Sequence, residues 1–408
     1  MIDSNKNKLY SESSVPLAND EGSPHFLIIA GEASGDLHGS NLVSALSAFL
    51  PRAQFTGMGG SKMREAGVAT LFGIERMGTV GVVEVLGEFG HYYKVYRTLK
   101  REIASRRYAA VILIDYPTLN LRLAKQARRF DCPVFFFISP QIWAWRKGRI
   151  RHIRESVSKM FVVLPFEEKL YLDSGVDAEF LGHPFVDMVL PSRTRAESRE
   201  KYSLSPKIKT VGLLPGSRMN EINSLLDVMV QAGEKIRDEL GSCQFLLPVA
   251  DSIDPDIIRQ RLGTNPLGIQ LIEGEPYDVM NSCDMLIIAS GSATLEAGIL
   301  GCPMVIIYKL NPLTHLLARW LVKIPLVGLV NIVAGEEVVP ELIQDKVTAE
   351  NISTQVLAVL QTPEKEQAIR ERLLEIRKTL GEPGVMKVVA KRIADFMDEL
   401  SINEKTPV

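Results

Sequence analysis

The sequence predicts an α/β protein of two doubly wound, Rossmann-like domains facing each other across a cleft. Short, near-continuous apolar runs recur along it, each followed by turn residues and a stretch of helical spacing. Such runs are strands of a parallel sheet covered on both faces by helices. The alternation lapses at Pro184–Lys209, a polar segment read as the interdomain connection, and then restarts. At 408 residues the chain is too long for one ordinary core.

Residues 1–24 are polar and lack an apolar run, so a flexible extension is expected there and not a signal peptide. An N-terminal domain is expected over 25–190. "HFLIIAGE" reads as its first strand and glycine loop, "DLHGSNLVSALSAFL" as a helix, and "AAVILID", "PVFFFIS" and "KMFVVLP" as further strands. A C-terminal domain is expected over 205–380, with strands in "TVGLLPGSR", "CQFLLPVA", "GIQLIEG", "DMLIIASGS" and "PMVIIYK". Over 384–400, Val385, Val388, Val389, Ile393, Phe396, Met397 and Leu400 share one helical stripe, which should pack.

Composition narrows the function. A net charge of -2 offers no general basic surface for nucleic acid. The 4 cysteines contain no Cys-x-x-Cys, and the 6 histidines form no ligand-spaced pair. Across Met285–Tyr308 the only charge is Glu296. Gly298, Gly301 and Pro303 argue against a membrane span and for strand, turn, helix, strand.

In doubly wound folds ligands bind beyond the carboxyl ends of the strands, which selects the candidate residues. Gly291 and Ser292 open a helix whose N-terminus suits phosphate, and Glu296, one turn in, either accepts from a ribose diol or caps its own helix. In "LLPGSR", Gly216 and Ser217 make the turn; Arg218 either reaches a diphosphate or is a surface arginine beside a helix start. In "IAGEASGDLHG", Ser34 or Asp36 is a candidate helix cap, while Glu32 and His38 face the proposed cleft. Asp115 ends a buried strand, as a general base or as a cap for the helix after Pro117. Trp143 and Trp145 in "SPQIWAWR" either pack or stack on a ligand. Asp254, Pro255 and Asp256 of "IDPDII" read as a helix start and not a metal site. The glycine-punctuated Val80–Phe89, with Val82, Val83, Leu86 and Phe89, reads equally as a lipid-facing surface or as a mobile hairpin. Trp320 lies in a second interfacial mixture, His315–Val330.

Nine motifs in order, "AGEASGDLHG", "GVVEVLG", "IDYPTLNLRLAK", "SPQIWAWR", "LPFE", "FLGHPFVD", "LLPGSR", "SGSATLEAGILGCPMVIIYK" and "LVNIVAGEEVVPELIQD", resemble the lipid-A-disaccharide synthases from about His25 to about Leu400. The resemblance implies a GT-B glycosyltransferase. It would join UDP-2,3-diacylglucosamine to 2,3-diacylglucosamine 1-phosphate (lipid X), giving a β-1,6 disaccharide and UDP, with inversion and with neither metal nor cofactor. By resemblance Asp115 is the favoured base, with Glu32 and His38 in the acceptor loop, and Arg218, Glu296 and Asn331 serve UDP. It further implies a cytoplasmic protein in peripheral contact with the inner membrane, and leaves a homodimer open. The rival readings are a UDP-sugar 2-epimerase-like enzyme and a non-catalytic nucleotide-sugar or lipid-binding protein of the same fold.

Overall fold

The computed structural model of the chain describes residues 23–74, 85–143, 148–309 and 326–405; at 85–89 and 401–405 only the backbone is described. The chain divides into two compact units, Met1–Pro184 with Glu382–Val408, and Phe185–Gly381.

The first unit is built on β1 (His25–Ala30), β2 (Gln54–Met58), β3 (Ala69–Phe72), β4 (Ala110–Ile114), β5 (Val134–Phe137), β6 (Lys159–Val162) and β7 (Ala178–Phe180). They form one 7-stranded sheet in the order β3-β2-β1-β4-β5-β6-β7, every pair parallel. Phe26–Ala30 and Ala110–Ile114 are wholly buried, as strands covered on both faces must be. Leu27, Ile29, Val111 and Leu113 pack on one face against Leu119 and Leu123 of the helix Pro117–Arg129 and Val95 and Leu99 of the helix Val85–Ala104. Each such side chain contributes about 1.5–3 kcal/mol by leaving water.

The second unit repeats the plan with β8 (Thr210–Leu214), β9 (Gln244–Val249), β10 (Gln270–Glu273), β11 (Met285–Ala289), β12 (Met304–Tyr308) and β13 (Glu341–Ile343). The order is β10-β9-β8-β11-β12-β13, again all parallel. Alternation along each strand splits its residues between two cores. Leu213 and Ile287 join Met229 and Ile352 on one face; Leu214 and Ile288 join Met280 and Leu373 on the other.

In each sheet the chain leaves one edge and resumes on the opposite side of its first strand. That seam lies between β1 and β4 in the first unit and between β8 and β11 in the second. A seam of this kind opens a crevice beyond the strand ends.

The segment expected to be a connection is not a free linker. From Phe185 onward it belongs to the second unit, because its arginines are engaged there. Arg193 pairs with Glu275 at 3.0 Å and Asp278 at 3.3 Å, and Arg195 with Asp284 at 2.6 Å. The helix Val385–Lys405 returns to the first unit and packs on the helix Ala33–Phe49. There Arg392 meets Glu179 at 2.9 Å, and Phe396 packs edge-on against Phe135 with ring centroids 5.2 Å apart. Among the described residues no helix is long and apolar enough to cross a membrane.

Candidate active site

In the first unit the register pairs Ala30 with Ile114, so Gly31 and Asp115 leave the sheet side by side at the seam. Asp115 and Tyr116 both take left-handed backbone conformations, φ 44° and 45°, and Ile138, just past β5, does so at 65°. L-residues rarely adopt this region, and such strain collects at functional sites. Tyr116, not Asp115, is the N-cap of the helix Pro117–Arg129, with Pro117 at its first position. Asp115 is partly buried, and burial first, then the charge of Glu32, pushes its carboxyl up to about 6. Asn120, wholly buried, donates from Nδ2 to the carbonyls of Ile114 at 3.1 Å and Asp115 at 2.7 Å.

Glu32 is the exposed N-cap of the helix Ala33–Phe49, without a side-chain capping bond. Ser34 and Asp36 lie inside that helix and do not cap it. Asp36 is buried and instead accepts from the backbone N–H groups of Gly60 at 2.6 Å and Lys62 and Met63 at 3.1 Å, holding the short helix Ser61–Glu65. His38, expected at the cleft, is 6% exposed on the same helix, its ring edge-on to Phe137. Burial lowers its pKa to about 4, and its Nδ1 has no hydrogen-bond partner among the described residues. It is therefore neutral near pH 7.

In the second unit the loops after β8 and β11 share the other seam, with Ile288 opposite Leu214. Gly216 turns with φ 112°, and the helix Met219–Leu240 follows with Arg218 as N-cap. The N–H groups of Ser217 and Arg218 donate to Glu221 Oε2 at 3.0 and 3.2 Å, and the guanidinium of Arg218 reaches Glu221 at 3.3 Å. That side chain is 79% exposed, so among the described residues an anion competes for it with Glu221, and otherwise with water.

Past β11, Gly291 is the N-cap of the helix Ser292–Ile299, and among the described residues no side chain caps it. A Cβ added at Gly291 would meet nothing within 4 Å. Glu296 stands one turn in; burial raises its pKa, while a hydrogen bond with Ser292 acts the other way. The loop is braced from behind. Ser290 Oγ donates to the Val327 carbonyl at 2.7 Å, and Thr294 Oγ1 accepts from Leu329 N–H at 3.0 Å.

Asn331 is fully buried, and its amide is spent within the protein. Oδ1 accepts from Val338 and Val339 N–H at 2.9 and 3.1 Å; Nδ2 donates to the Val339 carbonyl at 2.8 Å and Glu341 at 2.9 Å. Glu341 also accepts from Val327 N–H at 2.7 Å and Gly328 N–H at 2.9 Å. Asn120, Thr294 and Glu341 escape the sequence reading. A lone amide or hydroxyl on the buried side of a helix, as at Asn120 and Thr294, is the signal that could have found two of them.

Trp143 donates to Glu167 at 2.9 Å and packs edge-on to Phe166. Asp254 caps the helix Pro255–Leu262, accepting from Asp256 N–H at 2.9 Å. No group of three metal-binding side chains occurs among the described residues. Val82, Val83, Trp145 and Trp320 lie outside the described residues, as do the side chains of Leu86 and Phe89.

Comparison with known proteins adds to this geometry. Residues 26–391 match the model of a family described as "Lipid-A-disaccharide synthetase". A relative from Geobacter metallireducens named lipid-A-disaccharide synthase is 43% identical over 371 residues, 91% of this chain and 97% of its own. The fold is also similar to a putative UDP-N-acetylglucosamine 2-epimerase from Listeria monocytogenes, at TM-score 0.64 and 12% identity over 92% of this chain and 97% of that one. Sucrose-phosphate synthase from Thermosynechococcus elongatus matches at TM-score 0.58 and 12% identity, over 93% of this chain and 100% of its own.

Proposed function

The chain belongs to the lipid-A-disaccharide synthetase family, and from that premise we propose how its residues divide the transfer of a glucosamine unit between two lipid-bearing sugars. It is a glycosyltransferase of that family. The donor is UDP-2,3-diacylglucosamine, the acceptor 2,3-diacylglucosamine 1-phosphate (lipid X), and the products a β-1,6 disaccharide 1-phosphate and UDP. The likeness to an epimerase, at 12% identity, is one of fold alone.

In this reading the acceptor's 6-hydroxyl oxygen bonds to C1 of the donor sugar as the C1–O bond to the diphosphate breaks. The hydroxyl proton passes to the Asp115 carboxylate, and UDP leaves with the bonding pair. Attack opposite the leaving group inverts C1, which needs one base on the acceptor side and charge stabilisation on the leaving side. The observation that carries the assignment is the Asp115 carboxyl, raised to about 6 at the β1/β4 seam. A base works best with its pKa near the working pH. His38, at about 4, is a weaker match, and it would serve as a neutral hydrogen-bonding group. Glu32 would tune Asp115 and meet the acceptor.

On the nucleotide side, the uncapped N–H groups at Gly291 and Ser292 and the guanidinium of Arg218, with Gly216 and Ser217 shaping its turn, would carry the diphosphate charge. Glu296 would accept from the ribose hydroxyls. Asn331 would act from behind, by fixing the loop that braces Ser290 and Thr294. These groups make a metal unnecessary, so activity should survive EDTA. Both substrates carry acyl chains, so we place the reaction at a membrane surface, with peripheral contact through Val82, Val83, Leu86, Phe89 and Trp320; liposome co-sedimentation tests this part.

Asp115→Asn tests the assignment. Turnover should fall by roughly 10²–10⁴ with UDP binding intact. Equal loss of both would give Asp115 a structural role and overturn the reading.

A further inference from the structure

We infer that Asn120 is a positioning residue for Asp115: its buried amide locks the left-handed turn that carries that carboxylate off the end of β4. The inference rests on the reading of Asp115 as the base.

Three consecutive carbonyls are held by this one residue. Its Nδ2 donates to Ile114 at 3.1 Å and Asp115 at 2.7 Å, and its own backbone N–H donates to Tyr116 at 3.1 Å. These carbonyls flank two successive non-glycine residues at φ 44° and 45°. Left alone, that pair would relax to negative φ, and the carboxylate would swing with it. The side chain suits the task narrowly. Two donors on one short stem are what an amide supplies; aspartate would set lone pairs against carbonyl oxygens, and leucine would offer nothing. Asn120 is 0% exposed, and its Oδ1 has no hydrogen-bond partner among the described residues. A buried acceptor left empty is uncommon, so the position favours the donors at the expense of the acceptor. None of the helix's apolar packing depends on the amide, because Leu119, Leu123 and Ala127 face the core without it.

The test is a kinetic cycle between Asn120→Leu and Asp115→Asn in the full chain, with both lipid substrates. Asn120→Leu, its folding checked by a thermal melt, keeps the branched outline of asparagine with a bulkier end and no donors. It should lower kcat by roughly 10–100-fold, the scale of a displaced catalytic group, while KM for the donor and the affinity for UDP stay within about threefold. Asn120→Ser, keeping one donor, should lose less, and it carries the same comparison should the leucine variant not fold. In the Asp115→Asn background either change should add less than about twofold, because the group it positions is gone. A folded Asn120 variant at native kcat, or the same fold-loss repeated in the Asp115→Asn background, overturns the inference. Full turnover by Asp115→Asn alone overturns the base assignment itself, and the inference with it.

Discussion

The ring of Tyr116 packs so closely on Gly31 that a Cβ at Gly31 would stand 2.3 Å from its Cγ and 2.4 Å from its Cδ1. This contact joins the loop after β1, which carries Glu32, to the turn after β4, which carries Asp115. Gly31→Ala must therefore move Tyr116. The expected result is a kcat lowered by about 10-fold or more with UDP affinity unchanged, since a small displacement of a catalytic group is costly. Steady-state kinetics beside calorimetric UDP titration checks it; native kcat would mean the turn is free to adjust.

Turnover should carry an acidic limb near pH 6, because Asp115 must be ionised to accept a proton and its carboxyl is raised to about 6. Burial is the larger cause and the charge of Glu32 the second. Glu32→Gln should shift the limb toward lower pH without restoring the ordinary carboxylate range. The same shift has a stability consequence. Between the ordinary aspartate value of 3.8 and about 6 the folded chain binds more protons at Asp115 than the unfolded chain does, so this group's contribution to stability falls as pH rises through that window. Asp115→Asn should accordingly raise Tm at pH 7.5 relative to the native chain, with the gain vanishing near pH 4. A limb at pH 4 would remove Asp115 from the base role.

Arg218→Ala and Glu296→Gln should each weaken UDP binding. A charge-assisted contact is worth roughly 1.5–3 kcal/mol, so affinity should fall roughly 10- to 150-fold. The Arg218 side chain is 79% exposed, so its loss should barely change Tm, and the binding deficit can be read directly. Native affinity in both variants places the nucleotide elsewhere.

Asn331→Ala should lower Tm and UDP affinity together. It strips the Asn331 partner from the N–H and carbonyl of buried Val339, at about 1–3 kcal/mol for each buried group left unsatisfied, while Val338 N–H and Glu341 keep other partners. The brace on Ser290 and Thr294 then loosens. Thermal melts run beside UDP titration separate the cases: affinity lost at native Tm would mean that Asn331 touches the nucleotide itself.

Much of this is legible in the chain because parallel strands buried on both faces are nearly unbroken apolar runs. β1, β4, β5, β6, β8, β9, β11 and β12 stand out on that ground, whereas β10, with Gln270 and Glu273 exposed, is read from its place between turn residues in the same alternation. β2 escapes because Gln54, Thr56 and Gly57 interrupt its apolar run, β3 because its residues are partly exposed or exposed, and β7 and β13 because each has only 3 residues. Candidate residues that follow a strand directly, such as Asp115 and Gly291, are legible from position alone. What one loop does for another is not. Asp36 reads as a cap, but the helix it holds starts at Ser61. Asn120 and Glu341 act on backbone groups whose placement depends on the turn, and the burial of His38 depends on how its helix lies against Phe137.

The most direct measurement of the central claim is UDP release by the purified chain given UDP-2,3-diacylglucosamine, with and without lipid X, in EDTA. UDP should appear only when lipid X is present, with one disaccharide 1-phosphate formed per UDP. UDP or an epimerised UDP-sugar appearing without the acceptor, or no product with both substrates present, would contradict it.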